Sequence, residues 1–443
     1  MKARDREGEA GVSRRRFLTG LGVAAGAAAA SGYGLTVWRR DPATSSSGET
    51  LGAGELAAWN GRTLVVVEMG GGNDGLNTVV PLNNGTYNDL RPTLGVTTPI
   101  DLDGEVGLHP NLPRLAERFG AGQVAIVEGV GYPEPDLSHF GSFDIWWSAR
   151  GGSGNAGWLG RYLDGTVGFD DPLAAVSIGP GPSRALLGER SFATSIADDT
   201  GLQPRLPAWV DGRDDLLAAW SGFAPASVDA TTLVERVERA IGLTGIARQD
   251  LDRALGESRT GSEGEPSGAD EEDDEQAAMA GQGRYGDRSV VDSLALAARL
   301  VTSEAKPRVI YVHGIGDFDT HQGQADRHPV LMEQLDTGIE QFFATVGADE
   351  DVALMTVSEF GRRPSENGSG TDHGTANVHF VVGTKVLSGR YGSPPDLGTL
   401  DQGGNLEHHV DFRALYATGL DWLGVESRPV LGDDFDALEV FRS

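Results

Sequence analysis

Within Val352–Gly374 an apolar run, V-A-L-M-T-V, empties directly into Ser358, Glu359 and Arg362, then through a Gly/Ser/Asn loop into Asp372, His373 and Gly374. Carboxylate, guanidinium and imidazole together can bind an anion or a metal ion, and in open α/β sheets ligands gather in the loops after the strands' carboxyl ends. A salt-bridged turn after a core strand is the alternative. Upstream, Met69–Thr78 reads M-G-G-G-N-D-G-L-N-T. Its three glycines let the backbone turn tightly and approach a ligand closely, which makes Asp74 a metal or substrate ligand, or else part of a plain Gly-rich turn. Neither the G-x-G-x-x-G nor the P-loop spacing is present there. The stretch G-Y-P-E-P-D-L-S-H-F brings Ser138 and His139 to a helix start, where N–H groups and the helix dipole favour an anion or a developing oxyanion. An N-cap made by Asp136 or Ser138 is the alternative. In His313–His321, Asp319 and His321 are too close for helical i, i+4 pairing but can converge on one ion from an extended loop.

Each segment lies beside an element that would position it. Thr63–Val67, Gln123–Val130, Ala174–Ile178, Val309–Val312, Val352–Val357 and Val378–Val382 read as buried strands. Helical spacing follows in His109–Phe119, Thr231–Ala254, Val291–Glu304, Leu331–Val346 and Phe412–Leu423, the last capped by Asp411. Alternation of this kind from residue 63 to 423 is the pattern of a doubly wound, largely parallel sheet with helices on both faces. Such a topology carries Asp74, Ser138, Asp319, His321 and Glu359 to one edge, with His373 entering from the loop before the last strand.

Composition sets the outer bounds. The 443 residues carry a formal charge of −29, which excludes a nucleic-acid partner and docking on anionic lipid, since both demand a basic surface. With no cysteine, there is no disulfide, thiolate metal site or Cys nucleophile, so a metal would be held by oxygen and imidazole ligands. Ser13-Arg-Arg-Arg-Phe-Leu18 and the Gly/Ala run behind it match a twin-arginine export signal over residues 1–30, implying the twin-arginine translocase as a partner and an extracytoplasmic destination. The uncharged run between Arg16 and Arg39 is long enough to span a bilayer, so a retained anchor is the alternative to cleavage. A flexible linker is expected over 31–59, one α/β domain over 60–435, and within it a disordered acidic insertion over 256–287.

As an ordered set, G-G-G-N-D-G-L-N-T, D-L-S-H-F, W-L-G-R-Y-L, F-D-T-H, S-E-F-G-R and T-D-H-G resemble the exported bacterial family called domain of unknown function 1501. That family looks like a branch of the alkaline phosphatase and sulfatase superfamily. The resemblance implies a metal-binding Asp74, a nucleophilic Ser138, and metal ligands Asp319, His321 and His373, with Glu359 where phosphatases begin an Asp-His doublet. Phe360 stands where the doublet's histidine would be and cannot ligate. The implied protein is an exported metal-dependent hydrolase of phosphate or sulfate esters. One or two divalent ions (zinc, manganese, magnesium or calcium) would sit on Asp74, Asp319, His321, Glu359 and His373. Arg362 would neutralise the transferred group and His139 would serve as general acid. The other reading is a non-catalytic extracytoplasmic scaffold or glycan-binding protein that keeps the fold.

Overall fold

In chain order the strands are β1 (Thr63–Glu68), β2 (Val79–Pro81), β3 (Ile100–Asp101), β4 (Val106–Leu108), β5 (Val124–Gly131), β6 (Ala175–Ile178), β7 (Thr194–Ile196), β8 (Val309–Val312), β9 (Val352–Val357), β10 (Arg362–Glu366), β11 (Thr371–His373), β12 (Asn377–Val382), β13 (Gly389–Gly392) and β14 (Val410–Asp411). They are seen in a computed structural model that describes residues 51, 54–150, 156–168, 170–197, 242, 243, 245–251, 253, 255, 288–348 and 351–442. The expected export signal, most of the linker, most of the helix Thr231–Ala254 and the acidic insertion lie outside the described residues.

The central sheet runs β13-β5-β12-β9-β1-β8-β6-β7, with β14 also paired to β5. β9, β1, β8, β6 and β7 are parallel neighbours, β1 lying in register with both β9 (Val65 opposite Leu354) and β8 (Val65 opposite Ile310). β12 is antiparallel to β9 and to β5. The sheet is therefore mixed and mostly parallel. Its reversal has a local cause: between β9 and β12 the chain forms only the β10–β11 hairpin, and without a crossover helix it turns back beside the strand it has just left. The N-terminal end of β12 thus shares an edge with the carboxyl ends of β1, β8 and β9.

Every residue of β1, β5, β6, β8, β9 and β12 is buried, as strands covered on both faces require. Alternate side chains feed two separate cores. On one side Val65, Val67, Ile310, Val312 and Leu354 pack with apolar residues of the helices Pro113–Gly120, Val290–Val301 and Gln324–Val346. On the other, Leu64, Val66, Tyr311, Ala353 and Met355 pack with those of His139–Ser148, Trp158–Thr166 and Phe412–Trp422. Asp411 caps the last of these, accepting from the Arg413 N–H at 2.9 Å. The helix Gln324–Val346 begins a full turn and more before the expected Leu331, because Pro329 reads as a breaker although the helix runs through it. Among the described residues no helix is long and apolar enough to cross a membrane.

Candidate metal centre

The glycine-rich loop after β1 is shaped by two side chains that follow β9, Glu359 and, at the start of β10, Arg362. Gly71 and Gly72 have φ of +112° and +83°, and a Cβ on either would collide, with the Asp319 backbone at Gly71 and with the Phe360 ring at Gly72. Their N–H groups donate to the buried carboxylate of Glu359, at 2.9 Å to Oε1 and 3.2 Å to Oε2. Their carbonyls accept from the other direction, Gly72 from Arg362 Nε at 2.7 Å and Gly71 from Arg362 Nη2. The polar groups of this loop are thus taken by the chain's own carboxylate and guanidinium.

Arg362 is fully enclosed and has further partners: Thr371 O at 2.8 Å, Phe318 O at 3.2 Å and Asp319 Oδ1 at 2.6 Å. It braces the loops after β1 and β8 against the β10–β11 hairpin. Its place is inside the wall of the site, where its N–H groups serve backbone carbonyls and Asp319 in preference to a substrate.

Around Asp319 the imidazoles converge. His373 Nε2 lies 3.4 Å and His321 Nε2 3.2 Å from Asp319 Oδ1, and His139 Nε2 lies 3.5 Å from Oδ2. The Nε2 atoms of His321 and His373 face each other at 2.8 Å. His373 Nδ1 donates to Leu137 O at 2.7 Å, which turns its Nε2 toward Asp319 and His321. His139 Nδ1 is 2.7 Å from Glu359 Oε1, so its Nε2 also points at Asp319. Phe360 packs beneath both rings, with centroids 5.0 Å from His139 and 4.4 Å from His373. Ligating atoms of His139, Asp319 and His373 all lie within 4.8 Å of one another.

Charge is concentrated here. Burial works to raise the pKa of Asp319, but hydrogen bonds from His139, His373 and Arg362 hold its carboxyl well below the usual carboxylate range. Burial likewise opposes protonation of His139, and its bonds to Asp319 and Glu359 prevail, pushing it up to about 9. An imidazolium between two carboxylates is a proton occupying a place that suits a metal cation.

The remaining expected residues are placed differently. Asp74 is fully buried and pairs with Arg91 Nη1 at 2.6 Å, accepts from Gln324 Nε2, and caps the helix Gly75–Thr78 through Asn77 N–H at 3.3 Å. Burial raises the pKa of its carboxyl and Arg91 outweighs that, leaving it lowered. Ser138 is exposed at the head of the helix His139–Ser148, and its hydroxyl makes no capping bond; Asp136 instead accepts the Ser138 N–H at 2.8 Å. Glu359 stands behind His139 as the carboxylate that orients it, the outer-shell arrangement usual around metal-binding histidines. The sequence reading missed Arg91 and Gln324, which lie outside every recognised motif. It gave His139 the part of an acid; in the structure its Nε2 faces Asp319, in a group of side chains close enough to hold a metal ion.

Residues 221–437 match the family described as Protein of unknown function (DUF1501). The matched span holds Asp319, His321, Glu359, Arg362 and His373, while Asp74, Ser138 and His139 precede it. No curated protein matches the chain.

Proposed function

We propose that this chain is a metal-dependent hydrolase acting on phosphate or sulfate esters outside the cytoplasm, reached through the twin-arginine translocase. The observation that carries the reading is the convergence of His139, Asp319 and His373, with His321 beside them, at the carboxyl edge of the sheet. The donor set fits a divalent ion: Leu137 O and Glu359 each engage an Nδ1, so the Nε2 atoms face one carboxylate. Imidazoles around a single carboxylate suit zinc or manganese better than magnesium or calcium. When bound, such an ion supplies Lewis-acid polarisation of an ester oxygen.

The chain's own groups do the rest. Glu359 holds the proton on His139 Nδ1 and fixes the ring, while Phe360 sets the tilt of His139 and His373. Ser138, exposed and next in sequence to a ligand, is the nucleophile; the first turn of its helix favours the negative charge of the ester. The test is a screen of the mature, metal-reconstituted chain against aryl phosphates, phosphodiesters and aryl sulfates. Turnover that disappears in Ser138→Ala is expected. Full metal loading without turnover in any class would overturn the hydrolase reading.

A second reading, the non-catalytic scaffold or glycan-binding protein, draws on one observation. Asp74 and Arg362, both expected to face the reaction, are turned into buried pairs.

A further inference from the structure

Two buried guanidinium groups stand where additional cations would otherwise be needed. Asp74 spends both carboxylate oxygens inside the protein, on Arg91, Gln324 and the Asn77 N–H. Arg91 is enclosed too, with Nη1 on Asn77 Oδ1 at 2.6 Å, Nε on Pro364 O at 2.8 Å and Nη2 on Arg363 O at 3.0 Å. The amide oxygen of Gln324 accepts from the hydroxyls of Thr320, at 3.3 Å, and Thr371, at 2.8 Å. Gln324 therefore fixes Asp74 to the residues next to Asp319 and near His373, yet interposes an amide rather than opening Asp74 to the centre. On the other side, Arg362 already supplies Asp319 with a positive charge at 2.6 Å.

A metal ion at Asp74 would have to displace Arg91 and strand a buried guanidinium without its counter-charge, which is unfavourable in a low-dielectric interior. Among the described residues, His139, Asp319 and His373 form the one group of three or more acidic or imidazole side chains close enough to share an ion. Asp74 and Glu359 fall outside it.

We propose that the centre takes a single divalent ion, and that Arg91 and Arg362 are fixed cations that stand in place of a second one. This rests on the metal reading given above. It deepens that reading: with one ion, no pair of metals clamps both the attacking and the leaving oxygen. Asp74 then belongs to the buried frame around the centre, its charge already met by Arg91.

The test is a calorimetric titration of the metal-stripped full chain with Zn²⁺, together with metal content after dialysis. One equivalent per chain is expected. Asp74→Asn should keep that equivalent with an affinity within about threefold of the parent, whereas His373→Ala should lose about a hundredfold or more, as for removal of a ligand or its support. Because Asp74→Asn alone strands Arg91, the double variant Asp74→Leu with Arg91→Met, which removes both charges, is titrated beside it, with circular dichroism to check the fold. Two equivalents in the parent, or loss of binding in a folded Asp74 variant, would overturn the one-ion assignment. No binding by the parent would instead overturn the metal reading itself. The parent's stoichiometry decides the matter even if neither variant folds.

Discussion

His139 and Glu359 meet at 2.7 Å through Nδ1 and Oε1, and the same carboxylate takes the N–H groups of Gly71 and Gly72. The imidazole is thereby tied to the loop after β1, and its orientation toward Asp319 depends on a carboxylate that does not itself join the cluster of ligating atoms.

Glu359→Gln should therefore weaken metal affinity about 10–100-fold, the usual effect of losing an outer-shell partner. It should also lower stability by roughly 1–3 kcal/mol, because an amide cannot accept from both glycine N–H groups while holding His139. Competitive metal titration and urea unfolding measure the two effects. An unchanged affinity would show that His139 is not positioned by Glu359.

Arg362→Met removes the brace from the Gly71, Gly72, Phe318 and Thr371 carbonyls and leaves Asp319 without its buried partner. Because Asp319 is partly exposed and keeps its imidazole neighbours, the main loss is the unsatisfied buried carbonyls, about 1–3 kcal/mol. Chemical denaturation should show that loss. A variant as stable as the parent but defective in binding an anionic ester would return Arg362 to the substrate-binding part the sequence suggested.

Gly72→Ala places a methyl group against Phe360 at a φ of +83°. Backbone strain of about 1–3 kcal/mol is expected. The ring that supports His139 and His373 must move as well, so metal affinity should fall together with stability. Loss of stability alone would separate the loop's shape from the centre.

Glu68 ends β1 and accepts from Trp147 Nε1 and from the Tyr311 hydroxyl, each at 2.7 Å. Burial is the main cause that pushes its pKa from 4.5 up to about 7, against those two hydrogen bonds. A raised acid value means that the folded chain holds this proton more tightly than the unfolded chain. Its contribution is therefore complete below about 4.5 and is lost as pH rises to about 7. Glu68→Gln keeps an acceptor for Trp147 and Tyr311 and removes the titration. Relative to the parent it should gain stability across that window, on the order of 3 kcal/mol. Parallel stability curves for the two proteins from pH 4 to 8 would contradict this assignment.

The sheet was readable because strands buried on both faces are continuous apolar runs; Val309–Val312 and Val352–Val357 coincide with β8 and β9. The antiparallel direction of β12 was not readable, since direction depends on what the connection before it does, and β10 and β11 carry no apolar run. Short edge strands such as β7, β13 and β14 escaped for the same reason. At the site, motif loops announced Asp319, His321, Glu359 and His373 because polar residues follow apolar strands there. What each touches was hidden. The type of Arg362 suggests an anion, but only three dimensions show that Gly71 and Gly72 already claim it. The pairing of Asp74 with Arg91 was hidden likewise, because Arg91 lies seventeen residues on, in no recognisable pattern.

The most direct measurement is metal content and X-ray absorption of the full chain after reconstitution. One bound divalent ion coordinated by imidazole nitrogen and carboxylate oxygen is expected, with binding lost in folded His373→Ala and Asp319→Asn variants. A parent that binds no ion, or an unchanged metal content in both variants, would contradict it.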